Sequence, residues 1–299
     1  MNKQLNESES QALKNLEELI DEEIPKLRSI KSGTTGLYSF GFVEEESHVV
    51  ALSIRGKNLS SLPASLKELE HLQILYLRDN KLETIPQCVC ELPNLLDLDV
   101  FNNRIHEIPE SIGSLDTLER ADLSRNFFET LPDSIGELKN LRRLGLMDVK
   151  LEVLPESIGN LTKCWDLAIF INTLEAFPDS IGNMTGLTRL TAHKNRLVEL
   201  PATIGNLRIL EQLTLNDNNL ISLPEEIGQL VKLESLRLEG NLLKTLPDSI
   251  THLTSLKGLN ISKNKFSSFP TGMKKWIEDL ESAGYRVRMN KQHRSFLGI

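Results

Sequence analysis

The sequence predicts an α/β solenoid: a parallel concave sheet of about ten strands, short convex helical turns, and a cap at each end. Three observations carry the prediction. Proline recurs every 23 residues, at Pro63, Pro86, Pro109, Pro132, Pro155, Pro178, Pro201, Pro224, Pro247 and Pro270, and only Pro25 and Pro93 lie off this register. A fixed period of this length marks a repeat architecture. Apolar residues alternate over a short run in each block, as in Leu75-Tyr76-Leu77, which reads as a strand with one buried face. An asparagine follows at a constant offset: Asn80, Asn103, Asn126, Asn172, Asn195, Asn218, Asn241 and Asn264.

Ahead of the repeats, residues 9–24 are expected to form a helix. Leu13, Leu16, Leu19 and Ile20 cluster on one side, and Ile24-Pro25 ends it. Residues 37–43 alternate with Tyr38, Phe40 and Phe42 on one face. A turn over Glu44–Ser47 and a return strand from His48 complete a hairpin that covers the sheet edge. These elements form an N-terminal cap, residues 1–48.

Residues 49–271 hold ten 23-residue copies. In residues 72–94, Leu72, Leu75, Leu77, Asn80, Leu82, Ile85, Pro86, Val89 and Leu92 follow the pattern L-x-x-L-x-L-x-x-N-x-L. Leu82 and Ile85 turn the chain back over the core, and Pro86 fixes φ where it leaves the sheet. Ser or Thr stands two residues after most of these prolines (Ser65, Ser111, Ser134, Ser157, Ser180, Thr203, Ser249), placed to cap a short helical turn. An acid often precedes it, the favoured sign at a helix N-terminus. Val149 breaks the asparagine series inside the array, and Lys57 breaks it at the start. Residues 272–299 form a C-terminal cap. Met273, Trp276, Ile277 and Leu280 share a helix face, Gly284 stops the helix, and Tyr285, Val287 and Met289 alternate as a final strand. The basic tail, with Arg286, Arg288, Lys291 and Arg294, reads as solvated, with a site for an acidic partner as the alternative.

The repeated pattern resembles the leucine-rich repeat family, in its intracellular L-P-x-x-I-G-x-L form. That form is similar to bacterial and archaeal repeat proteins and to Ras-associated and plant scaffolds. The resemblance implies a leucine-rich repeat horseshoe and a non-catalytic scaffold or adaptor for a protein partner in signalling. A small GTPase enters as a partner by family analogy alone. A receptor-like module for a peptide or glycan is the second function class.

Composition narrows the partner. Net charge is −8, which disfavours nucleic acid and anionic lipid, since both select clustered Lys and Arg. No apolar stretch reaches a membrane span. The N-terminus lacks an apolar signal region, and the three cysteines, Cys88, Cys90 and Cys164, are odd in number and lie inside repeats. A cytoplasmic monomer is expected. Cys88-Val-Cys90 is too short and isolated for a zinc site and is expected on the outer side of its repeat. The six histidines are scattered, and no catalytic motif is present. No enzyme, cofactor or metal site is expected.

The outward strand positions supply the candidate binding surface: Tyr76, Arg78, Phe101, Arg120, Arg143, Met147, Trp165, Phe170, Ile171, Arg189 and His193. Phe101, Met147 and Phe170 are expected to face water. Trp165 and Ile171 are placed near Phe170, and small Gly145 and Ala168 leave a shallow pocket beside them. Exposed aromatic residues and Met among arginines resemble a binding hot spot. Departures from the consensus gather in the same blocks, at Ala121, Val149, Cys164 and Ala192.

Overall fold

The computed structural model describes residues 5–29 and 39–299. The chain divides into two compact units, Met1–Gly145 and Leu146–Ile299.

The first unit opens with helix α1 (Glu7–Ile20). Its N-cap, Asn6, accepts from the Ser8 amide at 3.1 Å. The helix stops at Asp21, not at Ile24-Pro25: Asp21 takes the left-handed conformation (φ 52°) and returns its N–H to the Glu17 carbonyl. Glu9, Ala12, Leu13 and Leu16 are buried, whereas Leu19, expected inside, is 47% exposed at the edge of that stripe. Strands β1 (Lys26–Leu27), β2 (Gly41–Glu45) and β3 (His48–Ser53) follow. The expected hairpin is β2–β3, closed by Glu46 and Ser47, both at positive φ as a tight two-residue turn requires. Strand β1, which the sequence did not announce, pairs parallel with β2. Leu37 and Tyr38 of the expected hairpin fall outside the described residues.

Strands β4 (Ile74–Tyr76), β5 (Asp97–Asp99), β6 (Arg120–Asp122) and β7 (Arg143–Gly145) continue from β3, all parallel and all in register. Leu52, Leu75, Leu98, Ala121 and Leu144 are successive partners, so the inward leucines stack into one column. Opposite the sheet, most coils carry a five-residue 3₁₀ turn; Gln87–Cys90 forms instead a short α-helix, α2. Cys88 and Cys90 are buried in α2 rather than on its outer side. Burial raises the Cys88 thiol to a pKa of about 11, which keeps it a small apolar core residue.

The second unit repeats the plan with β8 (Asp166–Ala168), β9 (Arg189–Thr191), β10 (Gln212–Thr214), β11 (Ser235–Arg237) and β12 (Gly258–Asn260). Helix α3 (Met273–Ser282) buries Met273, Ile277 and Leu280, and Gly284 at φ 79° follows its end. Strand β13 (Arg286–Arg288) pairs parallel with β12. The tail leaves Arg286, Arg288 and Lys291 exposed, as expected of a solvated end, and after β13 it folds as α4 (Lys291–Leu297). His293 is buried against Phe266 and Phe269, and Arg294 pairs with Glu281.

Within each unit the asparagines join adjacent coils. The side-chain oxygen of Asn195 accepts from the Leu174 amide at 3.2 Å. Its amide nitrogen donates to Ile169 O at 2.9 Å and Ala192 O at 3.1 Å. Asn80, Asn103 and Asn126 make the same bonds in the first unit. Val149 supplies no such amide, yet its own N–H still donates to Asn172 Oδ1 at 3.0 Å, and Leu146 O still accepts from Asn172 at 2.7 Å.

The serine caps do not form. Each 3₁₀ turn starts at its proline without a side-chain cap bond. Thr203 and Ser249 instead donate to carbonyls of the preceding coil, Asp179 O at 2.7 Å and Glu225 O at 2.6 Å. The acids also act between coils: Glu156 accepts from the Ser180 amide at 3.2 Å and Glu225 from the Ser249 amide at 3.3 Å. The turns approach so closely that a Cβ on Gly182 would lie 2.3 Å from Thr203 O, which explains the glycine of the repeated Ile-Gly pair.

Replacing Asn195 by Ala removes three bonds from a site only 8% exposed. The orphaned backbone groups should lower unfolding free energy by about 2–4 kcal/mol. Urea unfolding followed by circular dichroism would measure it, and a loss under about 0.5 kcal/mol would show that water replaces the amide.

Candidate functional surface

In the first unit the outward sheet face is a lattice of paired charges. Asp97 accepts from the Tyr76 hydroxyl at 3.0 Å and from Arg120 Nε at 2.9 Å. Arg78 donates to Asp99 at 2.8 Å, with Asp122 3.9 Å away. The Arg78 guanidinium also lies 4.0 Å from the centre of the Phe101 ring, and Arg125 lies 5.3 Å from it. These contacts follow from strand spacing: side chains on neighbouring parallel strands sit about 4.8 Å apart and reach one another. Tyr76 is therefore buried under its neighbours, and Phe101 is half-buried rather than facing water. Arg120 is half-buried and Arg143 exposed.

Asp97 and Asp99 were missing from the predicted set, although both lie on the outward face that the alternation defines. Asp99 is 3% exposed. Burial, together with the Asp122 charge, raises its pKa to about 6 against the opposing pull of Arg78. The pocket expected beside Gly145 is filled, because a Cβ there would meet Asp122 Oδ1 at 2.7 Å and Ser124 Oγ at 3.1 Å.

In the second unit Phe170 stacks on His193, with ring centres 4.4 Å apart and planes 15° from parallel. Burial, and then the Lys194 charge, hold the imidazole below the usual histidine range. Phe170, Met147 and Trp165 are half-buried and Ile171 is exposed. Trp165 is not beside Phe170. It precedes β8 and Phe170 follows it, which separates their backbones by roughly 16 Å along the extended chain. The Trp165 carbonyl receives the Arg189 amide at 2.9 Å. Arg189 reaches Gln212 at 3.1 Å and Asp166 at 3.7 Å. A polar depression of about 420 Å³, lined by Thr191, His193, Gln212, Thr214, Ser235 and Arg237, opens on the same face. His193 is the one residue of this depression that the sequence singled out.

Ile171 is the outlier of this surface. The residue before the asparagine position, which Val149 fills in one coil, is left-handed in coil after coil: Asp79, Asn102, Arg125, Asp148, Lys194, Asp217, Gly240 and Lys263. Ile171 holds the same conformation at φ 59°, with its N–H donating to His193 O at 3.0 Å. A β-branched side chain there is strained by about 1–2 kcal/mol, and it is 39% exposed.

Among the described residues no helix is long and apolar enough to cross a membrane. Comparison with known proteins places this geometry. A leucine-rich repeat model matches residues 47–105 and a leucine-rich repeat region model matches residues 132–219. No curated protein matches the chain. Among solved structures, the Leptospira interrogans LRR protein LIC12759 is 34% identical over 75% of this chain, with a TM-score of 0.71. The LRR ectodomain of the Arabidopsis thaliana receptor kinase GASSHO1/SCHENGEN3, solved in complex with CASPARIAN STRIP INTEGRITY FACTOR 2, is 29% identical over 77%, with a TM-score of 0.63. The PEPR1–AtPEP1 structure is 25% identical over 94%, with a TM-score of 0.71. The chain spans 57%, 28% and 45% of the lengths of these three proteins. The fold is that of a protein–protein interaction module, typically non-enzymatic. With its in-register strands, asparagine ladder and matching family models, the chain is a leucine-rich repeat protein.

Proposed function

We propose that the protein is a non-enzymatic scaffold or adaptor that holds a protein partner on the outward face of its sheet. The reading takes it as a monomeric cytoplasmic component of a signalling system, and family resemblance makes a small GTPase one partner to test. In the second unit the contact set is Met147, Trp165, Phe170, Ile171, Arg189 and His193. In the first it is Tyr76, Arg78, Phe101, Arg120 and Arg143.

The observation that carries the reading is Ile171. A strained, exposed, β-branched residue stands where other coils hold Asp, Asn, Gly or a long polar side chain. Strain held at an exposed position without a folding benefit points to a role in contact. The stacked Phe170–His193 pair, whose Phe170 immediately precedes Ile171 in the chain, offers a rigid aromatic surface of the kind that dominates interface energy. The paired charges of the first unit suit orientation and partner choice more than raw affinity.

A receptor-like module for a peptide or glycan is the second reading. One similar structure is a receptor-kinase ectodomain in complex with a factor, and the polar depression beside His193 is open on the sheet face. Affinity capture from the source cell separates the two. One protein retained in stoichiometric amount supports the adaptor. A peptide or glycan retained on an array with no captured protein supports the receptor.

Ile171→Asn should raise unfolding free energy by about 1 kcal/mol, because Asn tolerates the left-handed region. The same variant should lose captured partner. A variant that is more stable and binds as before would remove Ile171 from the interface.

Asp99 gives a pH signature. Its folded pKa of about 6 lies above its ordinary value near 3.8. Its contribution to stability is thus fully present below pH about 4 and lost as pH rises through 6. Relative to Asp99→Asn, the wild-type protein should lose up to about 3 kcal/mol between pH 4 and pH 7. Urea midpoints of both proteins across that range test this, and a constant difference would contradict it.

A further inference from the structure

We propose that Glu9, His48 and His71 form a zinc-binding site that fastens the N-terminal cap to the first coils. The three residues are 39 and 23 positions apart in sequence, which is why no motif revealed them. Folding brings them together from three elements: Glu9 from the first turn of α1, His48 from the start of β3, and His71 from the segment leading into β4. Their ligand atoms lie within 4.8 Å of one another, and among the described residues this is the one place where three such side chains converge. The absence of a metal site expected from the scattered histidines is revised on this geometry.

The distances suit a tetrahedral ion. Glu9 Oε1 is 3.2 Å from His48 Nδ1 and 3.6 Å from His71 Nδ1. Zinc bonds of about 2.0–2.1 Å at tetrahedral angles separate adjacent ligand atoms by roughly 3.3 Å. The two imidazoles stack with ring centres 3.6 Å apart and planes 22° from parallel, and both direct Nδ1 to the same carboxylate oxygen.

The carboxylate itself is the second indication. Glu9 is 1% exposed, and a buried carboxylate needs compensation. One backbone amide, Val49 N–H, donates to Oε2 at 3.0 Å. That bond orients the carboxylate as an outer-shell partner does in metal sites, leaving Oε1 for the imidazole side. Two imidazoles and one carboxylate form a donor set that suits zinc rather than calcium or magnesium, which take oxygen ligands. A depression of about 320 Å³ borders both histidines and includes Glu45 and Glu46. It supplies an entry path, room for a water as fourth ligand, and negative charge that attracts a cation.

The test uses the full chain, stripped with EDTA and titrated with zinc chloride in a calorimeter. One equivalent should bind and raise the melting temperature. His71→Ala, whose side chain is half exposed and free to be trimmed without disturbing the core, should weaken binding at least roughly tenfold. His71→Cys should restore it, since a thiolate also ligates zinc, and His252→Ala should leave the isotherm unchanged. Cobalt(II) in place of zinc should give the visible absorption of a tetrahedral site in the wild type and lose it in His71→Ala. No saturable binding, or an isotherm that His71→Ala leaves unchanged, would overturn the proposal.

Discussion

One side-chain amide bonding two coils at once is the constraint on which this structure rests. An asparagine such as Asn195 must accept from one backbone amide and donate to carbonyls 26 and 3 residues earlier. Those bonds can form together only if successive coils have the same length. The 23-residue register of proline, leucine and glycine is the sequence-level consequence. Pro fixes the exit from the sheet, and Gly182 lets the next turn approach to a distance that a methyl group would forbid. The leucine column then fills the space that equal coils enclose.

The same equality shapes the outward face. In-register parallel strands place equivalent side chains side by side, so a charge on one strand meets whatever the next strand carries at that level. Asp97 with Tyr76 and Arg120, and Asp99 with Arg78, are products of that alignment. Surface identity in such a fold is thus read across coils rather than along the chain.

The fold was legible because its determinants are periodic. Strand register, turn position and the asparagine series repeat often enough for one block to explain the rest. The misreadings came where the signal was local or unrepeated. An α-helical capping rule places Ser111 and Ser180 at caps, but 3₁₀ turns beginning at proline have no place for that bond. Cys88 looked peripheral because Gln87–Cys90 winds as an α-helix, which turns both cysteines inward. The exposure of Arg286, Arg288 and Lys291 in the tail is legible, but the burial of His293 is not, because the aromatic residues that receive it lie in the preceding coil. On the sheet face the sequence indicates which residues point outward but not which ones cover each other, so the burial of Tyr76, Phe101 and Asp99 is not legible in it. The strain at Ile171 depends on a backbone angle that no composition rule reports.

The ladder bonds also bear on how the chain reaches this state. They span 21 to 26 residues in sequence wherever they join two coils. Each closure along the repeat ladder is therefore short and of nearly constant entropy. A coil gains its bonds only when its neighbour is already wound, so order should spread from a nucleus one coil at a time within each unit.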